Sequence, residues 1–123
     1  MLQWKGGIML PKRIPKPAKR ESRWRSQTHC KFVRKHSCSV CGSMQAIEVA
    51  HIRLGTGTGM AQKPDDWHTV SLCKECHASQ HHVGEQTFWE AAKIDPLKLA
   101  AEFAAASPKA REIADAKRER RNV

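Results

Sequence analysis

Residues 38–42 read CSVCG and residues 67–77 read WHTVSLCKECH. Each stretch holds a Cys-x-x-Cys pair, Cys38/Cys41 and Cys73/Cys76. One tight turn can put two thiolates on one metal, so the two pairs together make a tetrahedral four-cysteine site. Four thiolates close the coordination shell, so a zinc held there is structural. It would tie the turn at 38–42 to the start of a helix near Cys73–Lys74 and bracket everything between. The fifth cysteine, Cys30, reads as a small buried residue.

Working outward from the pairs, residues 46–54 (AIEVAHIRL) read as a strand. Val49, His51 and Arg53 share one face and Glu48, Ala50 and Ile52 the other. Residues 55–66 (GTGTGMAQKPDD) form a glycine-rich loop, and 67–72 (WHTVSL) a second strand. A helix should follow from Cys73–Lys74 to Val83, stopped by Gly84. Upstream, residues 21–36 have helical spacing. Downstream, 85–94 is helical with Phe88 and Trp89 as core. Asp95-Pro96 and Ser107-Pro108 each start a further helix. The expected fold is a small α+β domain, zinc-stapled, with flanking helices and basic termini. Residues 1–20 form an extended basic arm, 21–94 the zinc-containing domain, and 95–123 the C-terminal helices with a basic tail.

Composition narrows the class further. The 123 residues carry a net charge of +10, distributed unevenly. Residues 1–37 hold eleven Lys or Arg against one acid, Glu21, whereas residues 38–108 hold five bases and eight acids. Residues 109–123 hold six bases and three acids. Basic arms around a slightly acidic centre are the footprint of a nucleic-acid binder. No apolar run is long enough for a transmembrane helix. No apolar stretch of signal-peptide length follows the basic N-terminus, so a reducing, cytoplasmic compartment is expected. Met9 is a plausible alternative start. The GTGTG run lacks the Gly-Lys-Ser/Thr ending of a phosphate loop and does not lead from strand to helix, which excludes nucleotide binding.

His77 and His81 stand four apart on the expected helix, so both rings share one face and can chelate one ion. The strand carrying His51 should lie alongside. Val49-Ala50-His51-Ile52, the glycine-rich loop, and His68-Thr69-Val70-Ser71-Leu72-Cys73-Lys74-Glu75-Cys76-His77 together resemble an HNH endonuclease of the ββα-metal class. In particular they are similar to small phage- and prophage-encoded HNH proteins stapled by a four-cysteine zinc. The resemblance covers roughly residues 28–90. It implies a bacterial host cell as the setting and DNA as the partner.

The resemblance also implies roles. His51, at the end of the first strand, corresponds to the general base. His68, nine residues before His77, corresponds to the residue that orients it. His77 and His81 correspond to ligands of a catalytic divalent ion, which could be magnesium, manganese, nickel or zinc. Many members carry an Asp or His metal ligand just before the base, where this chain has Ala50. A third ligand would then come from His82, Asp65 or Asp66, or from water and phosphate. Arg53 is placed to clamp the phosphate and Lys63 is a second nucleic-acid contact. The chemistry expected is metal-dependent hydrolysis of DNA, an imidazole taking the proton of the attacking water. The alternatives are a non-catalytic zinc-stapled nucleic-acid-binding module and a protein adaptor docking through the Ala-rich 96–106 helix. Sequence specificity, nicking against double-strand cleavage, and monomer against dimer are left open.

Overall fold

A computed structural model describes residues 23–58 and 63–121. The arm expected over residues 1–20 and the middle of the glycine-rich loop lie outside the described residues. Within them the chain is a small α+β unit of five helices and one two-stranded sheet. In order these are α1 (Gln27–Arg34), β1 (Ile47–His51), β2 (Thr69–Cys73), α2 (Lys74–Val83), α3 (Glu85–Ala92), α4 (Pro96–Ala106) and α5 (Ala110–Arg121).

The helix expected over 21–36 begins only at Gln27. Ser26 caps it by accepting from the His29 amide at 3.1 Å. Residues 24–26 stay extended because their backbone groups bond elsewhere. The Trp24 amide donates to Asp65, the Ser26 amide to Asp66, and the Asp66 amide to the Trp24 carbonyl. Tertiary bonds here outweigh helical spacing.

The hairpin is antiparallel, Ile47 facing Cys73 at one end and His51 facing Thr69 at the other. β1 is shorter than expected at both ends. Ala46 sits at φ 53°, a left-handed conformation that breaks the strand, while its carbonyl accepts from the Lys74 amide. Past Ile52, the Arg53 and Leu54 amides turn to the Glu85 carboxylate instead of continuing the ladder. Gly55, at φ 80°, makes the turn, and a Cβ there would meet Leu97 Cδ1 at 2.8 Å.

Every residue of β2 is buried. Val70 and Leu72 join Ala50 and Ile52 in a core with Phe88, Trp89 and Ala100. Burying a side chain the size of Leu72 or Trp89 contributes on the order of 2–3 kcal/mol each. The buried polar residues of β2 are satisfied: Ser71 Oγ donates to the Ser37 carbonyl at 2.7 Å and Thr69 Oγ1 to the Asp66 carbonyl at 2.7 Å. α4 starts where Asp95-Pro96 signals it, with Asp95 accepting from the Leu97 and Lys98 amides. It shares the central core through Ala100. α5 closes a second cluster, Ile113 and Ala104 against Trp67. Among the described residues no helix is long and apolar enough to cross a membrane.

Candidate metal centre and histidine cleft

The four cysteines of the two pairs come together, their sulfurs all within 4.8 Å of one another. Cys41 Sγ and Cys73 Sγ are 3.6 Å apart. Four sulfurs at about 2.3 Å from one zinc stand about 3.8 Å apart, so the cluster has the dimensions of a tetrahedral site. The local reason is the same in both pairs. The Cys41 amide donates to Cys38 Sγ at 3.5 Å and the Cys76 amide to Cys73 Sγ at 3.4 Å, each turn curling its backbone around its first sulfur. Gly42 takes φ 79° as the first turn leaves Cys41, and its amide donates to the Cys38 carbonyl.

The thiols bear on one another electrostatically. Burial opposes charge on Cys38, but backbone amides and the Cys41 thiol outweigh it and bring the group down to about 6. Cys76 moves upward, from burial first and then from the crowding of the other three thiols. Cys38 gives up its proton readily, whereas Cys41 and Cys76 resist. A cation among them relieves that conflict, so the donor set fits a structural metal such as zinc.

The second site is a cleft of about 1000 Å³ between α1, β1 and the first turns of α2. His51, His77 and His81 all line it. His51 Nε2 is 2.9 Å from Asp66 Oδ1. Burial alone would raise the Asp66 carboxyl, but the His51 hydrogen bond, the Ser26 amide and the His51 and Arg25 charges hold it below the usual carboxylate range. An ionised carboxylate only accepts, so a proton lies on Nε2, and in the neutral ring Nδ1 carries the lone pair. Asp66 is itself fixed, its Oδ2 accepting from the Ser26 amide at 2.8 Å and Oδ1 near Arg25 Nη1 at 3.3 Å.

On α2, His77 Nδ1 lies 2.8 Å from Glu48 Oε1, and His77 Nε2 lies 3.2 Å from His81 Nε2. With His77 Nδ1–H donating to the Glu48 carboxylate, Nε2 is left as the acceptor in the neutral ring. Two imidazole nitrogens on one tetrahedral ion at about 2.0 Å stand about 3.3 Å apart, so the pair is spaced for a shared cation. A carboxylate behind a ligating histidine is the usual support for such a ligand. Among the described residues, only the cysteine cluster brings three or more His, Cys, Asp or Glu ligand atoms together.

The other residues singled out in the sequence fall as follows. Arg53 and Lys63 line the cleft. His68 does not. Its ring meets Trp67 edge-on at 6.1 Å between centroids, and its Nδ1 is buried without a hydrogen-bond partner among the described residues. The partner of His51 is Asp66, not His68, whose contribution at the hairpin is its carbonyl, accepting from the Ile52 amide. Burial, then the nearby Lys117 charge, lowers the His68 pKa. Of the proposed third ligands, Asp66 is engaged by His51 and Asp65 by the Trp24 amide and Arg120, while His82 is outside the cleft lining. The acid beside the histidine pair is Glu48, which helix and strand periodicity alone gave no reason to choose. Cys30 is half-buried on the cleft wall rather than in the core, and burial together with the Asp66 charge pushes its thiol up to about 11. His29 is a core residue, its Nδ1 2.8 Å from Ser107 Oγ, with its pKa lowered by burial.

A family model described as "Protein of unknown function (DUF968)" matches residues 12–108. The chain belongs to that family. The match takes in both cysteine pairs and every histidine of the cleft, and stops before α5. No curated protein and no solved structure matches the chain.

Proposed function

We propose that this DUF968 member is a metal-dependent DNA endonuclease of the HNH, ββα-metal type, with a zinc at Cys38, Cys41, Cys73 and Cys76 as its staple. The observation that carries the reading is the content of one cleft. It holds a histidine with a carboxylate on Nε2 (His51 on Asp66) and two histidines whose Nε2 atoms are 3.2 Å apart (His77 and His81).

His77 and His81 would hold one divalent ion, which when bound neutralises charge on the phosphoryl and leaving 3′ oxygens. His51 Nδ1 takes a proton from the attacking water as its oxygen bonds to phosphorus and the bond to the 3′ oxygen breaks. Asp66 keeps His51 in the tautomer that makes this possible and stabilises the imidazolium that results. Glu48 raises the basicity of His77 by accepting its Nδ1 proton. Arg53 and Lys63 supply positive charge at the cleft mouth.

A second reading draws on Ala50. The position before the base carries no ligating side chain and is fully buried against Val70 and Leu72. A non-catalytic zinc-stapled nucleic-acid-binding module would have no use for a ligand there. The two are separated by plasmid cleavage with protein stripped by EDTA and then supplied with magnesium, manganese, nickel or zinc. The nuclease reading expects metal-dependent nicking that falls by about 10²–10⁴-fold in His51→Ala. Equal background from both proteins, with DNA binding retained, assigns the chain to the binding module.

A further inference from the structure

The wall of the cleft facing the histidines is α1, and its composition is one-sided. Gln27, Cys30, Lys31 and Arg34 fall at i, i+3, i+4 and i+7, a single helical stripe, and all four line the cleft. The opposite stripe is buried through His29 and Val33. The cleft's acids are engaged by the protein itself: Asp66 by His51 and Ser26, Glu48 by His77, and Glu85 by the Arg53 and Leu54 amides. Arg25 is engaged as well, its guanidinium bonded to the Lys63 and Pro64 carbonyls and to Asp66. Lys31 and Arg34 differ. Both are exposed, and among the described residues neither has a carboxylate partner. Unneutralised cations of one sign opposite an imidazole cluster are a site for an extended anion.

We propose that Lys31 and Arg34 form a phosphate track, gripping two successive phosphates of the nucleic-acid strand that lies against His51, His77 and His81. The two side chains leave α1 about 4.5 Å apart along the helix axis. With their reach, that suits neighbouring phosphates of one strand. Contacts of this kind fix register and carry no base preference, consistent with a helix that offers only Gln27 beside them. The proposal rests on nucleic acid being the ligand of this cleft, but not on cleavage.

The test uses the full chain carrying His51→Ala, with its zinc, so that no turnover occurs. Binding of fluorescein-labelled duplex and single-stranded DNA is measured by anisotropy across a salt series. The double change Lys31→Gln/Arg34→Gln is compared with Lys74→Gln/Lys98→Gln, which removes the same charge from exposed positions outside the cleft lining. The track predicts that the slope of log K against log salt shrinks by about 1.8 on duplex, or about 1.4 on a single strand. It also predicts that the second pair leaves the slope within about 0.5 of the parent. Equal slopes in the parent and the Lys31/Arg34 variant on both DNAs, equal losses from both pairs, or no binding by the parent would each overturn it. If the track holds and the chain with His51 intact still cuts nothing, the nuclease reading fails alone.

Discussion

The cysteine cluster and the histidine cleft share one hairpin, and they are built in opposite ways. At the Ile47–Cys73 end, four donors come from two short turns, with backbone amides folded onto the first sulfur of each pair. In the cleft, the groups come from β1, the 64–66 loop and α2, and two of the histidines, His51 and His77, are each set by a carboxylate distant in sequence. The first arrangement is locally determined and coordinatively closed. The second depends on tertiary packing and is open to solvent along a cleft. A closed shell suits a staple, whereas, on the proposed reading, an open pair of imidazoles would leave room for a substrate oxygen.

The sharpest way to break the contrast is at the staple. Cys73→Ser removes one of the four sulfurs but leaves a hydroxyl that can still cap α2, where Cys73 Sγ accepts from the Cys76 amide. Loss of a structural metal from a small domain is worth on the order of several kcal/mol. Thermal melts should show Tm falling by more than about 10 °C, with zinc released into a chromogenic chelator. An unchanged Tm would mean the cluster does not hold the fold together.

A smaller effect is expected at the cleft. Asp66→Asn keeps the size of the side chain but presents an amide where a carboxylate received the Nε2 proton. If the proposed cleavage occurs, it should drop by about 10–100-fold, with Tm altered by only a few degrees. On the same proposal, Glu48→Gln should weaken binding of a divalent ion at His77 and His81 by a similar factor while leaving a zinc at the cysteines in place. His68→Phe provides the comparison: if Asp66 sets His51, the rate with this variant stays within a few-fold of the parent. A loss as large as that of Asp66→Asn would return the orienting role to His68.

The smallest effect is on pH dependence. His29 and His68 have pKa values lowered by burial, so between their folded and unfolded values the unfolded chain binds more protons. Their contribution to stability is intact above about pH 6.5 and is lost as pH falls below it. Urea melts from pH 7.5 to 5.5 should show declining stability, with a shallower decline in His68→Phe. A parallel decline in the variant would place the titration elsewhere.

The same contrast governs what could be read from the sequence. The two Cys-x-x-Cys pairs, the Asp95-Pro96 helix start and the Gly84 stop are short-range patterns, and each corresponds to a feature of the fold. The shared face of His77 and His81 follows from helix geometry alone. Asp66 and Glu48 were not legible as partners, because the 64–66 loop reaches His51 through the extended residues 24–26, and no periodicity records such a meeting. His68 sits one residue before β2, its ring edge-on to Trp67. Trp67 stacks on Trp24 at 5.5 Å and lies under Arg120 at 4.9 Å, contacts between segments far apart in the chain.

The division of labour between the two sites is tested most directly by counting metals while measuring cleavage. Protein loaded with one zinc per chain is titrated with manganese or nickel in the presence of supercoiled plasmid, for the parent and for His77→Ala/His81→Ala. The account predicts that nicking by the parent rises as a second ion binds. The double variant should keep its zinc and its Tm but neither bind the second ion nor cut. Undiminished nicking by the double variant, or full activity with the cysteine zinc as the sole metal, would contradict it.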